Sequence, residues 1–126
     1  MARDRGERAR RGRNAEQVVA DWIAAHGMSL LARNLRVARL EIDLVARDGE
    51  VVALIEVRTR GVGSWQRALN TIDGRKQERL RRAGAILWAR RFSKLPGVER
   101  IRFDVASVDF DSSDQPTVEY VKAAFC

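Results

Sequence analysis

The stretch that decides the fold is EIDLVARDGEVVALIEVR, residues 41–58. It contains two largely apolar runs, Glu41–Arg47 and Val51–Arg58, separated by Asp48-Gly49. Because both residues of an Asp-Gly pair tolerate positive φ, this dipeptide is a strong signal for a tight turn between antiparallel strands. Apolar side chains point to both faces of the resulting hairpin, which predicts that it is buried in the middle of a sheet.

Three carboxylates lie on one face of this hairpin. A two-residue loop at the Asp-Gly pair places Glu41 opposite Glu56. Asp43, two residues along from Glu41, then lies opposite Leu54. Cross-strand partners share a face, so these acids point to the same side as Arg58. Like charges opposite each other are destabilising, and a buried unpaired carboxylate costs several kcal/mol, so these charges need compensation.

Two explanations of this acidic face remain open from the residues alone. Carboxylate oxygens are hard ligands that suit Mg²⁺ or Mn²⁺, so a divalent cation between Asp43 and Glu56 would offset their repulsion. Alternatively, Arg58 and nearby basic groups neutralise the acids in an ordinary ion-paired hairpin. The second explanation accounts readily for Glu41 and Arg58. It accounts less readily for Asp43 and Glu56, whose neighbours are apolar.

The flanking sequence predicts a mixed sheet covered by helices on both faces. A helical pattern begins at Gly12, with apolar residues at three- and four-residue spacing, and Gly27 ends it. The further predicted elements are strands over Met28–Arg33, Glu41–Arg47 and Val51–Arg58, a short helix around Trp65–Leu69, a helix from Arg75 to Arg91, and strands over Ile101–Val108 and Thr117–Val121. This order, α-β-β-β-α-(α)-β-β, is typical of an α/β domain.

Length and charge indicate one nucleic-acid-binding domain. A chain of 126 residues that is 45% hydrophobic suits a single compact core. We predict a flexible basic arm over residues 1–11 and one domain over residues 12–126. The net charge of +7 is concentrated in residues 1–13 and 75–94. Two such basic segments indicate a polyanionic partner, although a cationic surface that only maintains solubility remains an alternative.

Cysteine and histidine are too scarce for several classes of site. Cys126 and His26 are the single representatives, so the chain forms no internal disulfide and no four-ligand zinc site of the Cys/His type. His26 precedes Gly27 at the predicted helix end, where an exposed position is the simpler explanation. Hydrolytic chemistry must therefore use carboxylates, basic groups and hard metal ions. Without a secretory signal or a span of about 20 apolar residues, we expect a cytoplasmic protein that does not enter the membrane.

The paired motifs Glu41-Ile42-Asp43-Leu44 and Glu56-Val57-Arg58 resemble those of the YraN family. These are small bacterial proteins with an endonuclease fold of the Holliday-junction-resolvase and PD-(D/E)xK type. The resemblance covers nearly the whole domain, and its further pieces are Gly12 with Glu16, Trp22-Ile23, Ala32-Arg33-Asn34, Lys76-Gln77 with Leu80, Arg102-Phe103-Asp104-Val105 and Lys122-Ala123-Ala124-Phe125. It implies a restriction-endonuclease-like fold and a phosphodiester-cleaving activity.

The resemblance also implies a metal site. In that superfamily the motif acids bind one or two divalent metals, which polarise the scissile phosphate and activate water. Carried over by motif position, Asp43 and Glu56 would ligate Mg²⁺ or Mn²⁺, with the Val57 carbonyl as a third ligand.

Further acids and a cation complete the implied catalytic set. Glu16, on the first helix, resembles the additional acid that some members bring to the site, and Glu41 would lie at its rim. Arg58 would stabilise charge that builds on the phosphate.

The sequence departs from the family pattern at two positions. The glycine that commonly precedes Glu-Ile-Asp is Leu40 here, and the motif lysine of the superfamily is Arg58. Arginine stays protonated and cannot act as a base. If the reaction needs a neutral amine at that position, the chain is slow or inactive. The prediction is therefore a metal-dependent endonuclease for structured DNA, with a non-catalytic nucleic-acid-binding protein as the alternative.

Several basic residues are candidates for contacts with nucleic acid. They are Arg60, Lys76, Arg79 and Arg82, and a solvated helix face is the alternative explanation. DNA is the expected partner more than RNA, since a basic RNA-associated domain would leave the buried acids unexplained. Resolvase-like proteins often act on two strands as dimers, so the resemblance also raises a homodimer as an expectation.

Overall fold

The computed structural model describes the backbone of residues 2–60 and 73–125, and the side chains of residues 14–59 and 73–125. The elements are α1 (Ala2–Ala25), β1 (Ser29–Val37), β2 (Leu40–Asp48), β3 (Val51–Arg60), α2 (Gly74–Arg90), β4 (Arg100–Phe110) and β5 (Pro116–Phe125), with a 3₁₀ turn at Phe92–Lys94. The short helix predicted around Trp65–Leu69 lies outside the described residues.

The strands form one mixed sheet. Within residues 2–60 and 73–125 it has five strands in the order β1-β2-β3-β4-β5. Neighbouring strands are antiparallel except for β3 and β4, which are parallel and have α2 between them in the chain. Parallel neighbours need a crossover connection, which in α/β proteins usually contains a helix. The predicted fold class, a mixed α/β sheet flanked by helices, is confirmed.

Helix α1 begins earlier than the sequence predicted. The expected start was Gly12, after an arm without regular structure, but the backbone is helical from Ala2. Alanine, arginine and glutamate make up most of residues 2–11 and are strong helix formers, so a lack of apolar groups there was weak evidence against a helix. The division of the chain into an arm and a domain stays a prediction. At the other end, Gly27 has a φ of +78°, the left-handed conformation predicted for the helix stop.

The hairpin of β2 and β3 forms in a different register from the predicted one. Asp48 pairs with Val51. The loop therefore consists of Gly49 and Glu50, and the prediction of an Asp48-Gly49 loop is wrong by one residue. Gly49 has a φ of +63°, and a glycine at the first loop position is the arrangement of a type II′ turn. Asp48 is held in the strand because its carboxylate accepts a hydrogen bond of 3.0 Å from Arg102.

A second hairpin, which the sequence did not predict, joins β1 and β2. Val37 pairs with Leu40 across a two-residue loop of Ala38 and Arg39. The φ angles of Ala38 and Arg39 are +47° and +68°. This left-handed conformation costs a non-glycine residue roughly 1–2 kcal/mol. Loops of this kind usually contain Asn-Gly or Asp-Gly, so the Ala-Arg pair carries no turn signal.

Helices α1 and α2 cover opposite faces of the sheet. On the α1 side the buried cluster is Ala15, Val19, Ile23, Met28, Leu44, Ala46, Ala53, Ile55, Ala106, Val108 and Phe110. On the α2 side it is Ile42, Val45, Val52, Leu54, Leu80, Ala83, Leu87, Phe92, Val98 and Val105. Ile42 and Leu44 are two residues apart, so strict alternation predicts that they lie on the same face of the sheet. Ile42 instead lies on the α2 side and Leu44 on the α1 side. The pairs between β2 and β3 end at Leu44, and beyond it β2 pairs with β1.

Aromatic side chains help to hold the helices to the sheet. Trp22 of α1 stacks on Tyr120 of β5 with ring centroids 4.4 Å apart. Trp88 of α2 packs against the cluster on the other face. Both are packing residues. In the described part of the chain, no helix has the length and apolar character that crossing a membrane requires.

Candidate functional site

Asp43 is half-buried in β2, at the point where this strand stops pairing with β3. Its Oδ2 accepts a hydrogen bond of 2.8 Å from the Val57 backbone N–H. Burial raises the pKa of Asp43 to about 6, and the neighbouring Glu56 carboxylate adds to this effect. Asp43 is thus a carboxylate in a place where its negative charge is unfavourable.

Glu56 is buried in β3, with 7% of its surface exposed. Leu44 pairs with Ile55, so the next positions along the two strands are Asp43 and Glu56. The two acids are therefore neighbours, whereas the predicted register set Glu56 opposite Glu41. The register shift brings the two acids closer together, while the alternation of faces along β2 is broken between Ile42 and Leu44, on either side of Asp43.

Two cations contact the Glu56 carboxylate. Its Oε1 forms an ion pair with Lys76 Nζ from α2 and lies 3.4 Å from Arg58 Nη2. Arg58 Nε is buried and has no hydrogen-bond partner among the described residues. These contacts are the compensation by basic groups that the sequence offered as an alternative to a metal ion, and Lys76 contributes to it together with Arg58.

Lys76 lies on the inner side of α2. The sequence suggested either a contact with nucleic acid or a place on a solvated helix face, yet Lys76 lies one turn before Leu80 and contacts Glu56. The buried residues of α2 are Leu80, Ala83, Gly84 and Leu87. Asp73 caps the helix by accepting a 2.9 Å hydrogen bond from the Lys76 N–H, which sets where the first turn begins and directs Lys76 to Glu56. The four-residue spacing from Lys76 to Leu80 was the signal in the sequence that went unused.

Glu16 and Glu41 form the outer part of the acidic group. Glu16 is half-buried on α1, and burial together with the nearby Glu41 carboxylate raises its pKa, with Arg33 acting in the opposite direction. Glu41 is exposed at the start of β2, consistent with a place at the rim. Since Glu16 also contributes to the raised pKa of Asp43, α1 brings a third acid within electrostatic range of the sheet carboxylates.

The other residues predicted to contact nucleic acid lie on or near α2. Arg79 and Arg82 are exposed. Arg82 Nε lies 3.7 Å from Glu78 in an exposed ion pair, which is worth a few tenths of a kcal/mol and leaves the guanidinium accessible. The side chain of Arg60 lies outside the described residues, so its predicted role has no structural test here.

Comparison with known proteins identifies the family. The chain matches the model of the uncharacterised protein family UPF0102 over residues 15–108, a range that includes β2, β3 and α2. The chain belongs to the UPF0102 family. It is 60% identical over 114 residues to a UPF0102 protein of Sorangium cellulosum, covering 90% of this chain and 79% of that protein. It is 38% identical to a UPF0102 protein of Acidothermus cellulolyticus over 134 aligned positions, covering 99% and 100% of the two chains. The resemblance to the YraN family, which is this family, is confirmed.

In this UPF0102 chain, the acids offer a partial ligand set for a hard cation. Asp43 and Glu56 supply carboxylate oxygens of the type that Mg²⁺ and Mn²⁺ prefer, in a half-buried place where repulsion between the acids favours a cation. Among the described residues, no group of three or more His, Cys, Asp and Glu side chains is arranged to enclose a metal ion. Two carboxylates still fit Mg²⁺, which usually keeps several waters and binds substrate phosphates.

A further buried acid of the UPF0102 fold, Asp104, has a structural role. Its carboxylate accepts hydrogen bonds from Arg102 Nε at 2.8 Å, the Tyr120 hydroxyl at 2.6 Å and the Ala123 N–H at 3.0 Å. Arg102 also reaches Asp48 at the end of β2. Since these donors satisfy both oxygens, Asp104 ties β4, β5 and the β2–β3 hairpin together.

Proposed function

We propose that this protein is a metal-dependent endonuclease that hydrolyses phosphodiester bonds in structured DNA, with Mg²⁺ or Mn²⁺ held by Asp43 and Glu56. One observation carries this proposal. Two like charges occupy adjacent positions on neighbouring strands, where the surrounding sheet is apolar. Such a pair is destabilising unless a cation or a bound substrate makes use of it. Membership of UPF0102 supports the proposal through the nuclease fold that the family motifs imply.

The ion pairs of Glu56 do not remove the reason for a metal. Lys76 and Arg58 both contact the Glu56 carboxylate. Asp43, in contrast, has a single hydrogen bond within the described structure, from the Val57 N–H, and its pKa stays raised to about 6. A salt-bridged hairpin therefore accounts for Glu56 and leaves Asp43 without an equal partner.

Each side chain has a role that follows from its position. When bound, the divalent ion supplies a Lewis acid that polarises the scissile phosphate and makes water a stronger nucleophile. Asp43 and Glu56 hold this ion, and the Val57 carbonyl is a further candidate ligand. Arg58 remains protonated, so it stabilises negative charge on the phosphate and does not act as a base. Glu16 adds an acid from α1 that is able to orient water.

A second candidate function is non-catalytic nucleic-acid binding on a degenerate nuclease fold. The observation in its favour is that Glu56 already has two internal cations, one of which, Arg58, stands where the superfamily has lysine. In this case the basic residues of α2, Arg79 and Arg82 among them, bind phosphates, and the acidic pair performs no turnover. A protein of this kind binds divalent metal weakly, and substitution of Glu56 does not change the metal affinity measured by titration.

A cleavage assay with a matched control separates the two functions. Wild type, Glu56→Gln and Glu50→Gln are purified identically and incubated with Mn²⁺ and labelled junction, flap, duplex and single-stranded DNA, and with an RNA hairpin. Glu50 is exposed in the β2–β3 loop, so its substitution makes the same chemical change away from the site. Cleavage by wild type and Glu50→Gln but not by Glu56→Gln supports the nuclease.

The other outcomes are equally informative. Salt-sensitive binding without cleavage by any of the three proteins supports the non-catalytic function. Equal cleavage by all three indicates a contaminating nuclease and counts against the proposed site. Activity or binding confined to the RNA hairpin favours an RNA-associated domain. Calorimetric titration with Mn²⁺ gives an independent readout, because the nuclease requires metal binding that Glu56→Gln weakens.

A further inference from the structure

The hairpin of β1 and β2 separates from β3 at the candidate site, where β3 continues to pair with β4 as far as Arg60. The described pairs between β2 and β3 end at Leu44, while β2 continues to pair with β1 as far as Leu40. Glu41 and Asp43 lie in this extension. Its tip therefore stands next to the acidic residues and on the opposite side of them from β3.

Two exposed arginines lie at this tip. Arg36 lies directly opposite Glu41 in the register, and Arg39 is in the loop. Both are exposed, and neither side chain forms an ion pair or hydrogen bond with another described residue. Residues 36–41 line a cleft of about 380 Å³. Two unpaired cations beside an open cleft form a surface suited to a polyanion.

Two other arginines of β1 and β2, Arg33 and Arg47, form hydrogen bonds that connect parts of the fold. Arg33 donates a 3.0 Å hydrogen bond to Gln17 of α1. Arg47 donates to the carbonyls of Gly49 and Pro96 at 2.9 and 2.7 Å. Arg36 has no such contact. Among these arginines of β1 and β2, Arg36 is thus the one without a contact to another described side chain or carbonyl.

The backbone of the loop supports a role outside the fold. Ala38 and Arg39 both adopt positive φ, which glycine or asparagine would adopt with less strain. A loop chosen for stability alone would contain Asn-Gly. The Ala38-Arg39 loop instead has a strained backbone and an exposed guanidinium group. Strained backbone of this kind clusters at ligand-binding sites.

We infer that the β1–β2 hairpin tip is a phosphate-binding element, in which Arg36 and Arg39 hold the sugar–phosphate backbone of a nucleic acid beside Asp43. This inference rests on the proposed function, because it takes nucleic acid as the substrate. It adds a contact surface on the side of the acids opposite β3. Nucleic acid then lies across the acidic residues with one part of its backbone held at this tip.

The test measures binding without cleavage. Anisotropy of a labelled DNA junction is followed in EDTA between 50 and 200 mM NaCl for wild type, Arg36→Gln/Arg39→Gln and the control Arg100→Gln/Lys122→Gln. The control removes the same charge from exposed positions on β4 and β5, outside the basic surface of α2. The tip variant should bind roughly tenfold more weakly and lower the salt slope by about 2, whereas the control should stay close to wild type.

A loop swap separates charge from folding. Ala38→Asn/Arg39→Gly relieves the strained turn, so it should melt at a higher temperature than wild type and still bind the junction less tightly. Ala38→Gly keeps the arginine and should bind like wild type. If wild type binds and the tip variants bind as tightly as the control, the hairpin inference is wrong while the proposed function stands. If wild type binds no nucleic acid at all, the proposed function itself fails.

Discussion

Asp43→Asn should stabilise this protein at neutral pH. The pKa of Asp43 is raised from an ordinary value near 3.9 to about 6 in the folded chain. A carboxyl group whose folded pKa is raised binds its proton more tightly when folded than when unfolded. Its full contribution to stability is therefore present below pH 4 and is lost as the pH rises through 6.

The size of the effect follows from this shift. Two pH units at about 1.4 kcal/mol per unit give an upper bound near 3 kcal/mol. Asp43 is half-buried and not fully enclosed, so a gain of about 2 kcal/mol in the free energy of unfolding is the expected value at pH 7.5. The asparagine carbonyl is still able to accept the hydrogen bond from Val57, so the substitution removes charge and retains the contact.

Urea unfolding at pH 4.0, 5.0, 6.0 and 7.5 measures the prediction. The difference between Asp43→Asn and wild type should be small at pH 4.0 and grow through pH 6. Asp21→Asn, an exposed change on α1, serves as the control and should show no such growth. A difference that is the same at every pH, or a variant less stable than wild type at pH 7.5, would refute the reasoning. Added Mn²⁺ should stabilise wild type more than the variant if Asp43 is a metal ligand.

Four further substitutions test other parts of the structure. Asp104→Asn should lower the free energy of unfolding by about 3–5 kcal/mol, because it leaves Arg102 partly unpaired in a buried network. Tyr120→Phe, which removes one donor from that network, should cost about 1 kcal/mol in the same urea assay. Gly84→Ala should destabilise by about 1–3 kcal/mol, because a Cβ would stand 2.7 Å from Phe103 Cζ, and an unchanged urea midpoint would contradict this packing. Lys76→Gln should tighten Mn²⁺ binding in calorimetry, because it removes the cation that competes for Glu56, and unchanged or weaker binding would argue against a metal at that carboxylate.

The order of the elements could be predicted from the sequence because it rests on local patterns. Apolar periodicity and a helix-stopping glycine at Gly27 are signals that a few neighbouring residues carry. Register is a different kind of property. The loop between β2 and β3 is set partly by Arg102, which lies far along the chain and holds Asp48 in the strand. The Asp-Gly pair and its neighbours in the sequence give no information about a contact with Arg102.

The candidate site shows the same limit. The sequence identified Asp43 and Glu56 as acids of one hairpin, because the two strands flank a local turn signal. The break in alternation between Ile42 and Leu44 has no signal in the local pattern. The sequence did not bring the two acids to adjacent positions, nor did it connect Lys76 with Glu56. That ion pair depends on where Asp73 caps α2, and so on the rotation of a whole helix against the sheet.

Two unfavourable features of this fold lie at the same end of the sheet. One is the charge of Asp43 beside Glu56, and the other is the positive φ of Ala38 and Arg39. Each has a substitution that should relieve it without disturbing the core, asparagine at position 43 and Asn-Gly at positions 38 and 39. Independent defects would have no reason to be neighbours. Their proximity is explained if both serve one ligand, since a site for a cation and a phosphate needs uncompensated acids and accessible arginines together. The two substitutions should then share one outcome, a more stable protein that has lost part of its affinity for metal or nucleic acid.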